Sequence, residues 1–105
     1  MNSYIISEIQ NEFEKLNNNG EITNLTYGTQ QDRVYNVLNV VFDKNDKHIS
    51  VVCSFNYILY KLLVTICTNP NTNKVINLSY SDQFLYQTNE LIVKIILNKV
   101  FDSIE

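Results

Sequence analysis

The spacing of apolar side chains divides the chain into two helical stretches separated by a run of alternating strands. Ile6, Ile9, Phe13 and Leu16 recur at three- and four-residue steps, with Glu8, Glu12, Glu14 and Lys15 on the other side. That spacing predicts an amphipathic helix ending near Leu16. Asn2 or Ser3 can cap its start, and Gly20, after three asparagines, suits a left-handed stop. Period-two alternation takes over from there. Residues 21–27 form a short strand with Leu25 and Tyr27 on one face, and 28–32 read as a loop. In 33–42, Val34, Leu38, Val40 and Phe42 lie opposite Tyr35, Val37 and Val41. The turn residues of 43–47 predict a hairpin loop, after which Ile49, Val51, Cys53 and Phe55 alternate with Ser50, Val52 and Ser54.

Beyond a break at Asn56, the β-branched and aromatic run 57–67 reads as one long strand, with a helix over 56–66 as the competing assignment. The polar segment 68–74 is a loop, and 75–80 is the last strand. Ser79 or Ser81 then caps a long C-terminal helix, with Asp82 three residues after Ser79 approximating a capping box. The predicted fold class is α+β: an N-terminal helix, an antiparallel meander of four to five strands, and a long C-terminal helix packed on the sheet. Residues 1–105 form a single domain by length.

The second helix carries more apolar surface than docking on a sheet requires. Over residues 84–101 its large apolar side chains span about 240° of the helical wheel, against the roughly 100° of an ordinary surface helix. The surplus predicts association, with another protein or with a second copy of the chain. The candidate partner-binding residues are Val93, Leu97, Val100, Phe101 and Ile104 on this helix, with Tyr57, Tyr60 and Tyr86 among the clustered aromatics. Two helices can cover one face of the sheet or one face each, and a cavity lined by Tyr35, Phe55, Tyr60 and Ile95 is the alternative use of the apolar excess.

Composition narrows the chemistry. Net charge is −3, Arg33 is the only arginine, and the lysines are scattered, a poor match to the basic stripe of a nucleic-acid binder. Alanine and tryptophan are absent while Asn, Ile, Lys and Tyr abound, the signature of an AT-rich genome such as that of a low-GC bacterium, its phage or an AT-rich virus. The first residues lack a basic n-region, and no run reaches the about 18 apolar residues of a membrane span, so a cytoplasmic protein is expected.

Catalytic and ligand-binding signatures are missing. Cys53 and Cys67 have no metal or redox spacing; in a simple meander they fall opposite about Tyr60 and Val75, too far apart for a disulfide. His48, the single histidine, sits beside Asp43 and Asp46 in a hairpin loop that lacks the glycine and distal glutamate of a calcium site. Gly20 and Gly28 stand in separate turns and cradle no phosphate, and Glu8 and Glu12 share a solvated helix face. No catalytic residue, metal or cofactor is expected. The sequence points to a small non-enzymatic binding module: a stoichiometric inhibitor, an immunity or anti-defence protein, or an adaptor. A ligand-binding or enzymatic domain and a structural homodimer are the alternatives.

Overall fold

One-sided burial organises the chain. A computed structural model describes residues 4–68, 72–78 and 88–104, with backbone alone at 72–78 and 104. Helix α1 (Ile5–Asn18) leads into strands β1 (Thr23–Gln31), β2 (Tyr35–Lys44), β3 (Lys47–Asn56), β4 (Lys61–Thr68) and β5 (Thr72–Leu78), and helix α2 (Asn89–Ile104) follows. The strands pair antiparallel in sequence order, an α+β meander as the alternation predicts. Leu38, Val40 and Phe42 of β2, Ile49, Val51, Cys53 and Phe55 of β3, and Leu62, Val64 and Ile66 of β4 form one buried face. Both helices lie on that face: α1 over β1, β2 and β3, and α2 against β4 and α1. Among the described residues, nothing covers the other face, where Tyr35, Val37, Val41, Val52 and Leu63 stand among Ser, Thr and Asn side chains.

Helix α1 buries Ile5, Ile6, Ile9 and Phe13, with the Phe13 ring 5.5 Å from that of Phe42. No side chain caps its start, and the expected caps Asn2 and Ser3 lie outside the described residues. Its end is a Schellman motif: the Glu21 amide donates to the Leu16 carbonyl (3.0 Å) and the Gly20 amide to that of Asn17 (3.2 Å), with Gly20 at φ +78°.

Four loop boundaries differ from the sequence reading. The expected loop 28–32 is mostly strand, because β1 runs on to Gln31 through its backbone ladder with β2, although its side chains are polar and exposed. Its irregularity falls earlier, at a bulge where Asn24 takes φ +56°. The β2–β3 hairpin narrows to Asn45 and Asp46, at φ +52° and +63°, the left-handed pair of a type I′ turn. The long strand expected from residue 57 begins only at Lys61; 57–60 is a turn. Asn56, nearly buried, accepts hydrogen bonds at its side-chain oxygen from the amides of Ile58 (2.9 Å) and Leu59 (3.0 Å), and Tyr60 at φ +52° redirects the chain into β4. That turn shifts the β3–β4 register by four residues, so Cys53 faces Val64 rather than Tyr60. Cys67 pairs with Asn73, because β5 already begins at Thr72 within the expected loop.

The apolar surplus of α2 is largely spent inside the chain. Ile92, Val93, Ile96 and Val100 are at most 2% exposed, and Leu97 and Phe101 pack partly buried against the core. A helix wedged between another helix and a strand needs two apolar flanks, which accounts for a stripe too wide for a sheet alone. Its described start is capped by Thr88, whose hydroxyl accepts from the Leu91 amide (3.3 Å); Ser79, Ser81 and Asp82 lie outside the described residues. Lys44 ties the end of β2 to both helix termini, donating to the Glu21 carbonyl (3.2 Å) with its ammonium 5.1 Å from the Phe101 ring centre.

Candidate functional site

The turn at 57–60 gathers a group of exposed large apolar side chains at one end of the sheet, while Tyr4, Tyr27 and Leu91 are exposed singly elsewhere. Ile58 is 71% exposed and Leu59 59%, beside Tyr60, Tyr35 and Leu63. The register explains the grouping. Tyr35 of β2 pairs with Asn56 and Asn56 with Lys61, while Ser54 lies opposite Leu63, so these positions follow one another across the open face. Leu59 folds back over them to make a shallow hollow of about 200 Å³ with Tyr35, Asn56 and Leu63 in its wall.

The tip is held from behind. Tyr57 and Tyr60 each set a ring edge-on against the buried Phe55, at 5.5 and 5.6 Å between centres. The Tyr57 amide donates to the Val34 carbonyl (2.8 Å), which joins this turn to the neighbouring β1–β2 turn. There Asp32 accepts from the amides of Val34 and Tyr35, both at 2.7 Å, and these backbone donors hold its carboxyl below the usual range. Exposed Lys61 lines the hollow, and the neighbouring β1–β2 turn carries exposed Arg33 beside the Asp32 carboxylate. An exposed apolar knob held from behind in this way can fill a recess on another macromolecule.

Tyr57 and Tyr60, two of the expected partner-binding residues, stand at this tip, in a turn rather than in the expected strand. Val93 and Val100 do not join them: at 2% and 0% exposure they belong to the internal core and offer a partner no surface. Leu97 and Phe101 are mostly covered at the opposite side of the molecule from the open face. Tyr86 and the Ile104 side chain lie outside the described residues. Sequence reasoning did not single out Ile58, Leu59 and Leu63, and named Tyr35 only as a cavity-lining residue. Asn56 was the available signal, since an asparagine at a pattern break is a ready former of the turn that exposes its followers.

The ligand-cavity alternative loses its lining. Tyr35 lies on the open face, whereas Phe55 is buried on the helix face, so the two cannot wall one cavity. A cleft of about 290 Å³ between α1 and α2 is lined mainly by charged side chains, among them Glu12, Lys15 and Lys94.

Cys53 and Cys67 are free and on opposite faces of the sheet, and burial pushes the Cys53 thiol up to about 12. At the far end, Asp43 accepts from Asn24 Nδ2 (2.8 Å) and His48 Nδ1 (2.7 Å), and these bonds, Asn24 first, hold its carboxyl low. The hollow around that pair is lined by polar side chains, among them Thr23, Asn45 and Lys47. Among the described residues no cluster of His, Cys, Asp or Glu is placed to hold a metal, and no helix is long and apolar enough to cross a membrane. Compared with protein families, curated proteins and solved structures, the chain matches none of them.

Proposed function

We propose that this chain is a non-enzymatic protein-binding module whose docking element is the 57–60 tip. The observation that carries the reading is the exposure of Ile58 and Leu59, consecutive large aliphatic residues on a turn held by the Asn56 side chain. Contiguous exposed apolar surface works against solubility and commonly marks an interaction site. Pre-ordering the turn lowers the entropy lost on docking. The partner this surface fits is a protein with an apolar recess and an acidic group at its edge to meet Lys61, which lines the hollow. A stoichiometric inhibitor, an immunity or anti-defence protein, or an adaptor would each work in this way, within a cell or virus of AT-rich genome.

The test is a paired capture with the native chain and Leu59→Asp as baits in extract from the source, followed by titration of the purified captured protein. The reading requires a saturable, stoichiometric complex that Leu59→Asp weakens at least tenfold and Thr26→Asp, on the open face of β1, leaves unchanged. Equal binding by the native chain and Leu59→Asp would contradict it. So would Leu59-dependent binding to vesicles of anionic lipid without a protein partner, which would assign the tip to a membrane surface.

A further inference from the structure

Strand β1 is an edge strand without the usual protection. Exposed sheet edges are ordinarily blunted by lysines, prolines, inward charges, bulges or covering elements. Residues 25–31, Leu-Thr-Tyr-Gly-Thr-Gln-Gln, carry no charge and no proline in a chain of net charge −3, and 26–31 are all exposed. The bulge at Asn24 lies before this segment and the Asp32 turn closes it, so between them the strand is regular.

The ladder fixes which backbone groups face outward. The Asp32 amide donates to the Tyr35 carbonyl (2.9 Å), and in an antiparallel pair the bonded positions alternate. Gln30, Gly28 and Thr26 therefore bond to β2, while Tyr27, Thr29 and Gln31 direct their amides and carbonyls away from it. Among the described residues no strand lies on that side.

From this edge we infer that β1 pairs antiparallel with β1 of a second copy about a two-fold axis at Gly28, joining two five-stranded sheets into one. The segment is self-complementary in that register. Each Tyr27 exchanges backbone bonds with Thr29 of the second copy, placing an aromatic beside a β-branched side chain, a favourable cross-strand pair. Thr26 meets Gln30 on the open face, and Gly28 meets Gly28 on the axis. No charged side chain belongs to 25–31, the charge of α1 beside it, Glu14, being engaged with the Tyr27 hydroxyl, and a symmetric contact of this kind closes at two copies. Both helix layers then lie on one side of the joined sheet. This contact is separate from the 57–60 tip, so either can fail without the other.

The test is solution mass by light scattering over a hundredfold concentration range, with amide exchange at the top of it. A concentration-dependent dimer is expected, with the Tyr27 and Thr29 amides protected only where dimer is present. Thr29→Pro removes a donor that β2 does not use, and Gly28→Lys sets two ammonium groups on the axis in open space. Each raises the dimer dissociation constant at least tenfold, and Gly28→Lys serves alone if the proline variant does not fold. A monomer throughout the range, a dimer indifferent to Gly28→Lys, or a dimer dissolved by Leu59→Asp would overturn the assignment.

Discussion

Leu59 and Leu62 are three positions apart, and the fold assigns them opposite duties. Leu62 is 0% exposed in the core, whereas Leu59 is 59% exposed at the tip. Truncating a buried leucine to alanine costs about 2–5 kcal/mol, the loss of transfer energy plus the cavity left behind. Full burial of a leucine contributes about 1.5–3 kcal/mol, and less than half of Leu59 is covered, so Leu59→Ala forfeits at most about 1 kcal/mol. For a domain of 105 residues with a urea slope of about 1–3 kcal/mol per molar, Leu62→Ala lowers the urea midpoint by about 1–2 M. At a slope of about 2 kcal/mol per molar, Leu59→Ala moves it by no more than about half a molar in the same buffer. Equilibrium urea unfolding followed by circular dichroism, with the slope checked for constancy, measures both. A midpoint loss for Leu59→Ala comparable to that of Leu62→Ala would show that the tip leucine supports the fold, and its exposure could no longer be read as a binding feature.

Gly20→Ala should cost about 1 kcal/mol by the same assay, because φ +78° lies in the left-handed region that a Cβ disfavours, even though the space around it is open. Stability should fall on acidification: Asp32 and Asp43 have folded pKa values below the ordinary 3.8, so their contributions are present above it and fade as pH drops through the folded values. Asp32→Ala should make thermal melting less steeply acid-dependent in that window. A thiol reagent at neutral pH should label Cys67 in the native protein and Cys53 only on unfolding, since Cys53 is fully buried with its thiol pushed up to about 12; mass spectrometry of the labelled protein distinguishes the two.

Where one side of an element is dry, its side chains report its geometry. The alternations of β2 and β3 and the three- and four-residue steps of α1 are legible in the sequence for that reason. The second half of β1 is illegible because both its faces are exposed and only its backbone ladder makes it a strand. Residues 57–60 mislead in the opposite sense. Their apolar side chains mimic a strand, but the turn is set by the Asn56 side chain and the left-handed Tyr60, neither of which has a hydrophobic period. The width of the α2 stripe was visible, but the element covering it was not, since a stripe has the same width whether α1 or a foreign protein lies on it. Consequently the candidate site moved from the helix to the tip, and only Tyr57 and Tyr60 were in view beforehand.

The tip's role is tested most directly by a photo-crosslinking amino acid placed at position 59, compared with the same group at position 47 on the far hairpin, in the intact source cell. The account predicts a discrete protein adduct from position 59 that disappears when Ile58→Asp is added, and no such adduct from position 47. Adducts of the same size and yield from both positions, or one at 59 that survives Ile58→Asp, would contradict it.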